Sequence, residues 1–125
     1  MKISYLIPLK PIAWSRTGHN RKTNVFYDKQ KDIKTVFGYY IKKCHGSNLL
    51  FDSAVEINAC FYFKNRVKNP RKYHTIKPDI DNLEKLLYDI CKSLCFTDDC
   101  LIVSNSSKKL FSDDERIEFT IQTLD

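Results

Sequence analysis

Glycine and proline are scarce in this chain, three and four among 125 residues. With so few breakers and no repeated or low-complexity tract, the sequence offers no interdomain linker. A second core would leave each half too small to hold together, so one domain over residues 1–125 is expected. Long apolar runs are missing as well. The longest near the start, Tyr5-Leu6-Ile7, is far too short to cross a bilayer, and no secretory core follows Met1-Lys2. An intracellular protein with no membrane partner is expected. A disulfide framework is absent too: Cys44, Cys60, Cys91, Cys95 and Cys100 are odd in number and unpatterned, which fits a reducing compartment and buried thiols. Zinc has to be weighed, since Cys91, Cys95 and Cys100 lie close together and His45 and His74 are available. No C-x-x-C pair exists, however, and Cys91 falls on an apolar helical face.

What the chain has in excess is positive charge. Twenty-one Lys and Arg against 15 Asp and Glu give a net +6, a balance that steers and holds polyanions such as nucleic acid. The basic residues are spread, whereas the acidic ones gather. Between Phe63 and Pro78 stand Lys64, Arg66, Lys68, Arg71, Lys72, His74 and Lys77 with no Asp or Glu among them. A solvated charge run is one reading of this loop. Its position just before a carboxylate cluster favours phosphate contact.

Periodicity places the elements. Residues 3–9 read as an opening strand ended near Pro8, followed by a polar loop around Gly18-His19-Asn20 that carries Arg16, Arg21 and Lys22. Asp28 is a plausible cap for a helix in which Ile33, Val36, Phe37, Tyr40 and Ile41 form the buried stripe, closed by His45-Gly46-Ser47-Asn48. From Val55 the period becomes two, with Val55, Ile57, Ala59, Phe61 and Phe63 sharing one face of a strand. A second helix is expected over residues 80–94, on the stripe Ile80, Leu83, Leu87, Ile90, Cys91 and Leu94. Residues 101–110 and 116–124 read as a closing hairpin with Asp113-Asp114-Glu115 in its turn.

The chemistry concentrates at the two ends of that second helix. Asp79 and Asp81 are two residues apart, which on a regular helix separates them by about 200°. Pro78 restricts the approach, so Asp79 is expected before the first turn, where both side chains can converge. In a purely structural reading Asp79 is a cap, Asp81 a favourable first-turn anion and Lys85 its i, i+4 partner. Such roles are worth about 1 kcal/mol for the cap and a few tenths for the pair. They account for one carboxylate better than two, and they leave Asp98-Asp99 unexplained. Oxygen donors in this number suit Mg²⁺, with Mn²⁺ as a substitute. Asp79, Asp81 and Asp99 are then the ligands and Asp98 an auxiliary, while Lys85 neutralises charge developing at the reacting phosphate. Arg16, Arg21, Lys64, Arg66, Lys68, Arg71, Lys72 and Lys77 are candidate phosphate contacts, and Tyr73 and Phe96 candidate base-stacking groups beside their commoner role in packing.

The motif Pro78, Asp79, Asp81, Asn82, Lys85, continued by Asp98, Asp99, Ile102, Val103 and Lys109, resembles the RusA-type Holliday junction resolvases of bacteria and their phages. Their pattern is approximately P-D-x-D-N-x-x-K, then a helix ending near an Asp-Asp pair, then a Val-rich strand. The stretch from Pro8 to Arg16 is similar to the family's N-terminus, and the specific part of the resemblance spans residues 77–109. It implies a small α+β domain, with a mixed sheet of about four strands and two main helices. It also implies a homodimer that incises four-way DNA junctions with Mg²⁺ by paired symmetric nicks, in recombination and repair, with no small-molecule cofactor. The acidic residues are then catalytic ligands, Lys85 is essential and Lys109 joins the DNA-binding set. The chain departs from the pattern at Cys95-Phe96-Thr97, which lacks a glycine often found before the acidic pair, at Ser104, which replaces a frequent acidic residue, and at polar Asn105-Ser106-Ser107.

Geometry adds a question. A helix from Asp81 to Leu94 is about 20 Å long, so Asp99 begins far from Asp79. Either the chain doubles back, or a two-fold partner sets the start of one helix beside the end of the other. Two further functions remain open: a nucleic-acid-binding module without catalysis, and a metal nuclease acting on flaps or other branched DNA.

Overall fold

The computed structural model describes residues 1–66 and 71–124. In chain order these form β1 (Lys2–Ile7), β2 (Gly18–Asn20), β3 (Val25–Tyr27), α1 (Lys31–His45), β4 (Val55–Lys64), α2 (Ile80–Cys91), a 3₁₀ turn (Asp99–Leu101), β5 (Ile102–Ser112) and β6 (Arg116–Thr123). Four strands make one mixed sheet in the order β1-β6-β4-β5, where β4 and β5 run parallel and the other pairs antiparallel. β2 and β3 form a separate two-stranded ribbon.

Alternation decides which face of the sheet is covered. Ile3, Tyr5 and Ile7 of β1, Val55, Ile57, Ala59, Phe61 and Phe63 of β4, and Ile117, Phe119 and Ile121 of β6 are all buried. They meet Phe37 and Ile41 of α1 and Leu83, Leu86, Leu87 and Ile90 of α2 in one core. Each large aliphatic or aromatic side chain so buried contributes about 1.5–3 kcal/mol. Tyr5 stacks on Phe119 at 4.5 Å, and its hydroxyl bonds the Nδ1 of His45, a buried histidine at the end of α1. α1 approaches α2 and the turn after it at Gly38, where a Cβ would stand 3.8 Å from a methyl of Ile90 and 3.3 Å from one of Leu94.

Several expectations need correction. Asp28 does not cap α1. Gln30 occupies that position, and the Asp28 carboxylate accepts the Gln30 N–H at 2.9 Å while pairing with Lys34 at 2.8 Å. Val36 is exposed, because the buried stripe runs through Phe37, Gly38, Ile41 and His45 instead. α2 stops at Cys91 rather than Leu94: Ser93 adopts a left-handed φ of 71° that a helix cannot continue through. Its stripe also includes Leu86 and leaves Ile80 at the surface. The loop expected around Gly18-His19-Asn20 is the first strand of the ribbon.

The closing hairpin is the largest difference. β5 and β6 lie close to where periodicity put them, yet they do not pair with each other, since β4 stands between them. β4 carries the largest inward-facing apolar set, and the central position gives it a backbone ladder on both edges. The parallel step from β4 to β5 needs a crossover, which α2 supplies. Of the thiols, Cys91 and Cys95 are buried, Cys44 and Cys60 partly so, and Cys100 is exposed.

Candidate active site

Asp79 is the last residue before α2 and has the extended conformation usual for a residue that enters a helix (φ −72°, ψ 144°). Its carbonyl accepts the Leu83 N–H at 3.3 Å, but its carboxylate makes no capping bond. That carboxylate faces the Lys77 ammonium at 3.0 and 3.2 Å. Asp81 accepts only the adjacent Asn82 N–H at 3.0 Å among the described residues. Both carboxylates are exposed on an open cleft of about 600 Å³ lined also by Tyr73, His74, Ser107 and Lys109. The capping role and the Asp81–Lys85 pair are therefore not what these residues do in the fold.

Lys85 is held differently. Its Nζ lies 3.6 Å from the centroid of the Trp14 ring, a contact in which the indole face attracts the ammonium. Trp14 is itself fixed, because its N–H bonds the Asn82 carbonyl of α2 at 2.9 Å. The buried amide of Gln30 brackets it, accepting from Ser15 N–H at 2.9 Å and donating to the Ala13 carbonyl at 2.8 Å. The segment between β1 and β2 thus sets the position of the motif lysine.

Lys109, in β5, donates to the Ile76 carbonyl at 2.7 Å and to the Pro78 carbonyl at 2.6 Å, so its ammonium clamps the segment that presents Asp79. Burial pulls its pKa below the ordinary lysine value, with the Asp79 charge working in the opposite sense. His74 lies beneath, stacked on Phe63 at 4.0 Å, and its Nδ1 finds no partner among the described residues. Burial, and then the Lys109 charge, lower its pKa as well.

At the far end of α2, Asp98 and Asp99 are exposed at the 3₁₀ turn. A hydrogen bond with the Asp99 carboxyl, then the Cys100 N–H and the Lys92 charge, hold the Asp98 carboxyl below its usual range. α2 has 12 residues and is therefore about 18 Å long. Among the described residues no three His, Cys, Asp or Glu side chains gather closely enough to hold a metal ion. The fold thus brings Asp79 and Asp81 to one cleft and leaves Asp98 and Asp99 apart from them. A pair of carboxylates still fits Mg²⁺, which usually takes one or two such ligands and fills the rest of its shell with water and substrate phosphate.

Of the candidate phosphate contacts, Arg16, Arg21, Lys64, Arg66, Arg71, Lys72 and Lys77 are exposed, and Lys68 lies outside the described residues. Tyr73 is half exposed on the cleft, with Lys72 5.4 Å from its ring. Phe96 is fully buried, so it packs in the core and is removed from the base-stacking candidates.

One residue of structural weight was not anticipated. Glu84, between Asp81 and Lys85, accepts from Asn105 at 2.6 Å, Ser107 at 2.7 Å and the Tyr88 hydroxyl at 3.2 Å. It bolts the middle of α2 to β5, and burial pushes the Tyr88 pKa up to about 12. The polar run Asn105-Ser106-Ser107, odd for a strand beside an apolar core, was the available signal.

No curated protein matches the chain significantly. A family model described as "Endodeoxyribonuclease RusA" matches residues 8–122, nearly the whole length and including every element of the site. The chain belongs to the RusA family of endodeoxyribonucleases, the Holliday junction resolvases.

Proposed function

We propose that this chain is a Mg²⁺-dependent, structure-specific endonuclease. As a homodimer it resolves four-way DNA junctions by paired symmetric nicks, serving recombination and repair. One observation carries the reading: the fold leaves the carboxylates of Asp79 and Asp81 exposed on one cleft without a capping role, although capping is the cheapest use for acids at a helix start. A divalent ion held there, with Mn²⁺ as a substitute, would neutralise charge on the scissile phosphodiester and make a water more acidic.

The chain's own residues do the rest. Lys85, oriented by Trp14, offers its ammonium to the charge that builds on the reacting phosphate. Lys109 and the bound Ile76 and Pro78 carbonyls keep the Asp79 segment in one conformation, which limits the reorganisation needed when substrate arrives. Lys77, paired with Asp79, and the exposed Arg71 and Lys72, which precede the cleft residue Tyr73 in the chain, take the neighbouring phosphates.

Asp99 enters the same reading through symmetry. The separation of the acidic pairs by α2 favours a composite site, in which Asp99, assisted by Asp98, reaches the Asp79–Asp81 cleft of a second copy. Mixed dimers decide it. A heterodimer of Asp79→Asn with Asp99→Asn retains one intact composite site and nicks a synthetic junction, whereas self-sufficient chains leave it as dead as either mutant homodimer.

The test of the activity itself is incision of a synthetic four-way junction with Mg²⁺ beside a linear duplex of the same sequence. Metal-dependent cleavage confined to the junction is expected. Junction binding without product, or cleavage that survives EDTA, would sink the mechanism; the former would make the chain a non-catalytic binding module.

A further inference from the structure

Residues 15–27 contain no Asp or Glu and carry Arg16, Arg21 and Lys22, all exposed. They include the β2–β3 ribbon, and a lone two-stranded ribbon is marginal in water unless something holds it. Here the turn is well made. The Asn20 side chain accepts the Lys22 N–H at 3.0 Å and its carbonyl accepts the Asn24 N–H at 2.8 Å. Asn24 sits at a left-handed φ of 56°, and its side chain bonds the His19 ring at 2.9 Å.

Aromatic groups occupy both faces. His19 stacks on Phe26 at 4.5 Å on one face, and on the other the Tyr27 ring lies against Gly18, where a Cβ would come within 2.3 Å of it. Despite this order the apolar groups are not covered: Val25 is 54% exposed, Phe26 68% and Tyr27 50%. A rigid tip that is basic, acid-free and faced with bare aromatic rings matches one chemistry closely, that of a base with an open π-face flanked by phosphates. A regular duplex hides such faces in its stack, whereas a branch point exposes or loosens them.

We propose that the β2–β3 ribbon is a branch-point finger. Phe26, backed by His19, stacks on a base at the crossover of a DNA junction, while Arg16, Arg21 and Lys22 bond the phosphates of the diverging arms. This rests on the reading of the chain as an enzyme of branched DNA and names how that substrate is told from linear duplex. The discrimination belongs to the finger and the bond-breaking to the α2 cleft, so the two are separable by experiment.

The test uses the full chain and an immobile four-way junction carrying 2-aminopurine at the branch point, in Ca²⁺ to hold cleavage back. Wild-type protein changes the 2-aminopurine emission on binding. Phe26→Ala removes that change and lowers the ratio of junction to linear-duplex affinity by about tenfold, the scale of one lost base stack. Phe26→Trp restores both. An Arg21→Ala, Lys22→Ala double variant weakens binding to all DNA and flattens its salt dependence. Because the Phe26 ring is exposed, thermal melting of Phe26→Ala stays at the wild-type temperature.

An unchanged emission response in Phe26→Ala, or an equal loss of affinity on junction and duplex, overturns the finger while leaving the nuclease reading intact. So does a Phe26→Ala protein whose molar mass in solution changes, since the face would then be a contact between copies. A wild-type protein with no preference for the junction overturns the functional reading, and the finger with it.

Discussion

The two ends of α2 are built to opposite rules. At its start the backbone is fixed tightly, by Pro78, by the Lys109 clamp and by the Trp14 bond to Asn82, while the acidic side chains stay exposed. At its finish the side chains are buried, with Cys91, Cys95 and Phe96 in the core, and the backbone turns through a left-handed Ser93 before the acidic pair reaches solvent. The contrast teaches where precision is spent. One end presents two carboxylates at a defined spot, and the other anchors the helix and hands Asp98 and Asp99 outward.

The comparison breaks most readily at Asp81. Asp81→Asn is expected to reduce junction cleavage by about two to three orders of magnitude, the loss typical when one charge-stabilising group leaves a site. Its melting temperature should not move, because Asp81 is exposed and makes only a local bond. Normal cleavage by this variant would remove the start of α2 from the chemistry.

Glu84→Ala addresses the rigid span between the ends. It removes the acceptor shared by Tyr88, Asn105 and Ser107, leaving the part-buried Tyr88 and Ser107 hydroxyls without it while Asn105 keeps its bond to Tyr88, and should cost about 1–3 kcal/mol in a urea titration. A stability equal to wild type would mean that packing alone fixes the helix on β5.

Lys109→Met keeps the aliphatic stem but removes the clamp on Ile76 and Pro78, for a loss of about 1–2 kcal/mol. If the clamp sets Asp79, cleavage falls with it and added Mg²⁺ recovers part of the rate. A purely structural lysine would lower stability with no response to Mg²⁺.

The smallest effect is the pH response of His74. Its folded pKa lies below the ordinary 6.5, so the unfolded chain takes up a proton that the folded one resists. The stability it supports is complete above about pH 6.5 and falls as pH drops from there through the lowered folded value. In His74→Phe this part of the acid slope should vanish from the melting profile. An unaltered slope would show that the ring is protonated as easily in the fold as outside it.

Much of this was legible in the sequence, for reasons that differ by element. The period-two face from Val55 to Phe63 and the apolar stripe through Leu83, Leu87 and Ile90 gave β4 and α2, because burial on one side leaves a repeating mark. The acidic motif located the cleft, and a proline before a carboxylate placed Asp79 ahead of the helix. What was not legible depended on partners distant in the chain. Arg116 to Thr123 reads locally as the return arm of a hairpin, and no nearby residue signals that β4 intervenes. The pairing of Lys85 with Trp14 spans 71 positions of unrelated pattern. Phe96 shows the same limit from the other side, since an aromatic beside Asp98 looks available for stacking until the turn after α2 buries it.

The position of β4 also dictates an order of assembly. Both strands that flank it come from the last quarter of the chain, and among the described residues β1 pairs in the sheet with β6 alone, more than a hundred residues away. A chain growing from its N-terminus therefore cannot close this sheet until β5 and β6 have left the ribosome. Until then the apolar edge and face of β4 depend on α1 and α2 alone. Topologies dominated by such distant pairings fold slowly, on the scale of milliseconds to seconds. A chain truncated before Ile102 should therefore emerge as an open, chaperone-bound intermediate.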